Sequence, residues 1–326
     1  MSGQSLHDSA YVIDGLVVSR WGREVFEDMQ RGGLTAANCT CSIWEGLRET
    51  MINLARWKQA FDEHADLIMQ VRRTADIRTA KERGKVGIIL GWQNTAGIED
   101  RLDLLPLYKE LGVSVIQLTY NTQNLVGAGC WEASDGGLSG FGREVIDAMN
   151  HLGILVDLSH VGPRTSSDAI AYSKRPCAYT HVAPRGAFDH PRNKTDEQLR
   201  EIVDRGGFVG VATYPPFMKT GADTTVDDCM ELFEYMIKVC GEENIGIGTD
   251  ATQGHDDAYF DWLRRDKGYA RRANPGRGRA PAVKGMETLA DYGRLTQAIE
   301  RRGWRESRIR RVLSENWLRF LAGIID

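Results

Sequence analysis

Two histidines and an aspartate recur at the same kind of place in this chain of 326 residues. His160 closes the apolar run GILVDLSH (153–160), and His181 closes RPCAYTH (175–181). Asp250 closes NIGIGTD (244–250). If each run is a strand, the three side chains stand where strands give way to loops. Two imidazoles and a carboxylate brought to one cup make a divalent-metal site: imidazole suits zinc, iron or nickel. The carboxylate would ligate, or take a proton from a water that the ion has acidified toward a pKa of about 7. Each residue alone has a plainer reading. A strand-end histidine is often hydrogen-bonded structure, and an aspartate after Gly-Ile-Gly can cap a helix. Recurrence at successive strand ends favours the site.

Short apolar runs suited to strands lie at 11–18, 35–43, 86–92, 114–120, 153–160, 177–181, 207–213 and 244–250. Between them the apolar residues recur at i, i+3 and i+4, as at 47–63, 100–111, 141–151, 195–205 and 226–240, which predicts helices. TDEQ at 195–198 and TTVDD at 224–228 are helix-start signals. Strands alternating with helices predict a (β/α)8 TIM barrel, whose functional residues gather at the C-terminal ends of the strands. A doubly wound sheet is the alternative, but no glycine-rich dinucleotide loop follows the first strand. Residues 1–326 are read as one barrel domain. A loop rich in Gly, Asn and Ser spans 121–140, and a long basic loop follows the last strand at 251–285. That second loop suits a lid, an oligomer contact or a solvated surface. Residues 286–326 are read as C-terminal helices at 286–301 and 305–323, the second packing its apolar face (ENWLRFLAGI) on the barrel.

Composition is ordinary for a globular protein, with 42% hydrophobic and 26% charged residues. A formal net charge of −4 gives no reason to expect nucleic acid or an anionic membrane as partner. No run of about 20 apolar residues is present, and MSGQSLHDSAY lacks the features of a signal peptide, so the expectation is a cytoplasmic protein. The six cysteines lack CxxC spacing and are read as reduced thiols; Cys39 and Cys41, on one strand face, are a weak metal alternative. His255, five residues past Asp250, is close enough in sequence to reach the site, whereas His7, His64, His151 and His190 are read as surface.

Residues 137–211, VIDGL (12–16) and NIGIGTD (244–250) resemble the membrane dipeptidase (renal dipeptidase) family of metallopeptidases. DLSHVG, HPRN and IGTD, in that order, carry the resemblance, which runs from about residue 11 to 320. It implies an amidohydrolase-type (β/α)8 barrel that binds two zinc ions and hydrolyses dipeptides, including those with a C-terminal D-residue. It implies that His160 and His181 hold one metal, that Asp250 sits beside the catalytic water, and that Arg192 of HPRN, with Asn193 beside it, meets the substrate, the guanidinium fork holding its carboxylate. Four positions, in three motifs, depart from the pattern. The family's first strand ends in His-x-Asp, and here Leu16 and Val18 stand at those places. Its bridging glutamate falls in GWQN, where this chain has Gln93, and its LTHN reads LTYN, with Tyr120. Alkyl groups bind no zinc and a neutral amide is a poor bridge, so one divalent ion is expected, zinc by preference, with Gln93 offering at most a carbonyl oxygen. Tyr120 would donate to a developing oxyanion and to the substrate.

The resulting expectation is a metallohydrolase acting on a dipeptide or another small amide. Two alternatives stand beside it. One is a metal enzyme acting on a methylated amine, because Trp21, Trp44, Trp92, Tyr120, Trp131 and Tyr214 fall near strand ends and aromatic rings can hold ammonium groups; rings also line ordinary cores. The other is an inactive barrel with a binding role. The family tends to dimerise, so a homodimer is expected.

Overall fold

The computed structural model describes residues 5–326. Nine parallel strands form one sheet: β1 (Ile13–Val17), β2 (Ala36–Ser42), β3 (Ile68–Gln70), β4 (Val86–Trp92), β5 (Val113–Gln117), β6 (Leu155–Asp157), β7 (Ala178–Val182), β8 (Phe208–Val211) and β9 (Ile245–Ile247). β1 pairs with β9, and a β2–β4 pairing closes the ring, so eight of the strands make the barrel. Parallel strands need crossover connections, and helices supply them here. Both faces of such strands are covered, which is why they read as continuous apolar runs rather than alternating ones. The fold is the expected (β/α)8 barrel.

β3 was not expected. Its three residues pair with the first half of β4, from Ile68↔Val86 to Gln70↔Ile88, and stand outside the ring. A run this short carries too little periodicity to be read from sequence. Thr195 and Thr225 cap their helices by accepting from the backbone N–H groups of Gln198 and Asp228, as the start signals predicted.

The barrel's N-terminal end is plugged. Helix Asn316–Ile325 sends Trp317 against Phe208, and its indole Nε1 donates to the Ile247 carbonyl at 2.8 Å. A Cβ on Gly15 or Gly246 would fall 2.5 Å or 2.6 Å from the Trp317 ring, so both positions need glycine. With that end closed, chemistry is confined to the C-terminal rim. The helical region after residue 286 is more broken than expected: Gly293–Arg301, Glu306–Arg310, a π-turn at Arg311–Glu315, then the plug helix. Among the described residues no helix is long and apolar enough to cross a membrane.

Candidate active site

Tyr120, His160 and Asp250 each lie three residues beyond the last residue of β5, β6 and β9, and Gln93 directly follows β4. His181 lies within β7. The His160 and His181 rings converge with their Nε2 atoms 3.1 Å apart. The other nitrogen of each ring is engaged. His160 Nδ1 meets the Asn121 Oδ1 acceptor at 2.8 Å. His181 Nδ1 meets Thr180 Oγ1 at 2.8 Å, and the Thr180 hydroxyl donates its hydrogen to Asp157 Oδ2 at 2.7 Å. Both rings therefore carry hydrogen on Nδ1 and turn an Nε2 lone pair toward the other. Two lone pairs this close repel unless they share a proton or converge on a cation beside them. Burial, with the nearby Arg192 charge, holds both imidazoles well below the ordinary histidine pKa, which keeps the lone pairs free.

Asp157 is the anchor of this arrangement. Its carboxylate accepts from the Ser159 N–H and hydroxyl and from the Thr180 N–H and hydroxyl. The Asp157 and Ser159 that interrupt the apolar run of β6 are thus the groups that orient the next strand's histidine. Asp14 does the same between β1 and β9, accepting from the backbone of Leu16 and Thr249 and from the hydroxyls of Thr249 and Tyr292. Asp157, Thr180, Asn121 and Asp14 were not expected at the site. The available signal was a polar residue inside an otherwise apolar strand.

Arg192 is fully buried. One terminal nitrogen donates to the His181 carbonyl at 2.7 Å, while Nε and Nη1 have no partner in the protein. A buried guanidinium with free donors suits an anion. Asn193, expected on the substrate, is used otherwise: its amide donates to the carbonyls of Phe188 and Phe217, tying two loops, and it lies outside the cup's lining. His190, expected at the surface, lines the cup. Its ring packs against Trp131 and Phe217, its Nδ1 accepts from the Arg192 N–H, and burial pushes its pKa down to about 4. His7 and His64 are also partly enclosed, His7 bonded to Thr296 and Gly32 and His64 packed on Phe26. Lys194 is buried over the Tyr179 ring with its ammonium on the Val161 carbonyl, and burial pulls its pKa to about 7.

Asp250 holds a left-handed backbone, φ 59°, which a non-glycine residue adopts at a cost, and it lines the cup. Burial raises its carboxyl to about 7, against the opposing pull of Arg192. Tyr120 stacks on His160 with ring centroids 4.2 Å apart, so its ring covers the imidazole. Gln93 donates through Nε2 to Thr40 and lines the cup. Leu16 and Val18 are buried at the end of β1, where Val18 walls the same cup. Among the described residues no group of three or more His, Cys, Asp or Glu side chains gathers as a metal site. His255 stacks on Tyr259 and lines neighbouring cavities, not the cup. Of the six strand-end aromatics, Tyr120, Trp131 and Tyr214 line it; Trp21, Trp44 and Trp92 do not.

The cup has a volume of about 400 Å³. Its roof is the segment after β9, which is more ordered than a plain loop: residues Asp257–Leu263 form a helix. Phe260 and Leu263 of that helix pack with Ile43, Trp44 and Tyr120, and Thr122 donates to Asp266. The segment therefore covers the cup, a position that suits the lid reading. Asp250, Tyr214, Thr252 and Phe260 also line a second cavity of about 750 Å³, so the two spaces adjoin.

Residues 22–259 match the family described as membrane dipeptidase, peptidase family M19. The chain belongs to the membrane dipeptidase family. The matched segment holds His160, His181, Arg192 and Asp250, while β1, with Leu16 and Val18, precedes it. An uncharacterised dipeptidase of Schizosaccharomyces pombe is 37% identical over 180 residues, 53% of this chain and 43% of that protein, so the match spans less than half the relative's length. An amidohydrolase from Pseudomonas aeruginosa is 50% identical, with a TM-score of 0.95 and 98% of both chains covered. A metallo peptidase from Rhodobacter sphaeroides, liganded with a phosphinate mimic of L-Ala-D-Ala, shares the fold at 18% identity, with a TM-score of 0.82 over 97% of this chain and 99% of that one. Leu16, Val18, Gln93 and Tyr120 lie at or just beyond the ends of β1, β4 and β5, and His160 and His181 lie just beyond β6 and within β7.

Proposed function

We propose that the chain is a metal-dependent hydrolase of a dipeptide or another small amide, working with one divalent ion, zinc by preference, held by His160 and His181. The observation that carries this is the pair of Nε2 lone pairs 3.1 Å apart with both Nδ1 hydrogens committed elsewhere. Two imidazole nitrogens on a tetrahedral zinc, each at 2.0–2.1 Å, stand about 3.3 Å apart, so the donor set fits the ion. Asn121 and the Thr180–Asp157 pair supply the outer partners that fix ligand tautomers. Gln93 has a carbonyl oxygen to add.

When bound, such an ion polarises a carbonyl and acidifies water. The chain's own residues do the rest. Arg192 takes the substrate's carboxylate on its two free donors and so sets the position of the scissile bond. Asp250, with a carboxyl near neutrality, takes the proton from the attacking water and returns it to the departing amine. Tyr120 and the lid residues Phe260 and Leu263 keep bulk water out. The names of the S. pombe and P. aeruginosa relatives agree with amide-bond hydrolysis. A methylated-amine substrate fits less well, because a cup lined by Arg192 and Arg264 repels a cation.

The test is amine release from a panel of dipeptides, including C-terminal D-residues, by zinc-loaded protein beside Asp250→Asn. Turnover lost in the variant supports the reading; no turnover of any dipeptide or simple amide overturns it.

A further inference from the structure

We infer that the substrate carries a second anionic group, a carboxylate, and that Arg264 of the lid is the side chain that reads it. This rests on the reading that Arg192 takes the first carboxylate. Most of the lid's other cations are paired: Arg265 and Arg272 bind Asp261, Arg271 binds Glu132, Arg279 faces Asp257, and Lys284 binds Asp223; Lys267 and Arg277 are exposed and do not line the cup. Among the described residues Arg264 has no carboxylate within ion-pair distance, yet it lines the cup.

Its position is set without a counter-ion. One terminal nitrogen donates to the Gly278 carbonyl at 2.6 Å, and the guanidinium carbon lies 5.6 Å from the centroid of Phe260. No other hydrogen bond from this guanidinium is made among the described residues, so most of its fork is open. Guanidinium keeps its charge at any working pH. The cup therefore presents two fixed positive charges, Arg192 and Arg264, against the one carboxylate of Asp250. A bound divalent ion makes the imbalance larger. One substrate carboxylate on Arg192 leaves half-buried Arg264 at the cup's rim with open donors and no anion. A second carboxylate pairs that charge, and a planar fork matches it. A space of about 400 Å³ is large enough for a dipeptide-sized molecule with two acid groups. The substrate class is thus a small amide with two carboxylates, such as a dipeptide with one acidic side chain.

Arg264 is specificity-determining, and binding of small acids reports on it without turnover. Dissociation constants for glutarate, butyrate and 4-phosphonobutyrate are measured by calorimetry on zinc-loaded wild type, Arg264→Gln, Arg264→Lys and Arg265→Gln. Wild type is expected to prefer glutarate to butyrate by roughly tenfold or more. The ratio is expected to fall to within roughly threefold in Arg264→Gln, to lie between the two in Arg264→Lys, and to persist in Arg265→Gln. A wild type without the preference, or a preference that survives in both Arg264 variants, overturns the inference. Tighter binding of the phosphonate than of glutarate overturns the carboxylate assignment. Hydrolysis of neutral dipeptides as fast as acidic ones would overturn this inference alone, whereas a diacid preference without any turnover would overturn the hydrolase reading alone.

Discussion

His160 and His181 meet through their Nε2 atoms at 3.1 Å, and each ring is held in that pose by a partner on its far nitrogen. On the His181 side the partner is Thr180, whose hydroxyl is fixed by the buried Asp157. Removing that fixed acceptor frees the hydroxyl and loosens the ring. Asp157→Asn is expected to weaken zinc binding by about 10–100-fold, as loss of an outer-shell partner does. Competition with a calibrated chelator checks it; unchanged affinity would show that Asp157 serves the strand pairing alone.

Asp250 has a second signature, in stability. In the metal-free protein burial raises its carboxyl to about 7 when folded, above the ordinary aspartate value of about 3.9. Between those two values the folded chain holds a proton that the unfolded chain has released. The stabilisation is complete below the lower value and is lost as pH rises toward 7. Asp250→Asn removes this loss. The melting temperature of the variant relative to wild type should therefore climb from pH 4 to pH 8. A difference that stays flat over that range contradicts the assignment. In the same variant kcat should fall by about 10²–10⁴-fold, the range for a general base.

Leu16, Val18 and Gln93 stand where the family resemblance implies metal ligands, and all three are buried. Together, Leu16→His, Val18→Asp and Gln93→Glu should raise metal uptake from one equivalent to two, at some cost in stability from the buried polar groups. Elemental analysis after dialysis against zinc reads the result. Uptake that stays at the wild-type value would mean that the backbone of β1, and not only its side chains, has lost the second site.

Arg192→Lys keeps the charge and loses the fork. With Nε and Nη1 as the free donors, KM for substrates ending in a carboxylate should rise by about 10–100-fold while kcat changes much less. An unchanged KM would place the carboxylate elsewhere.

The barrel was legible because its strands are buried on both faces and so appear as apolar runs, each followed by a helical period. The strand-end positions of His160, His181 and Asp250 followed from that alone. Other features were not legible. Asp157 and Thr180 are ordinary strand residues until the β6–β7 pairing brings them together. His190 sits on a loop whose path alone carries it into the cup. Asn193 follows Arg192 in the chain but takes a different task, because both sit in a turn closed by the Asn193 N–H on the His190 carbonyl, which aims successive side chains apart. The lid's helix and the placing of Arg264 at the cup depend on contacts across long sequence separations, such as Arg271 with Glu132.

The central claim is that His160 and His181 hold one ion. The direct measurement is the metal content of protein purified without chelator, beside the His160→Ala, His181→Ala double variant. About one equivalent of zinc or another divalent metal in wild type, lost in the variant, is the predicted result for a two-histidine site with one open cup. Two equivalents in wild type would contradict it, as would no metal even after incubation with zinc, manganese and iron.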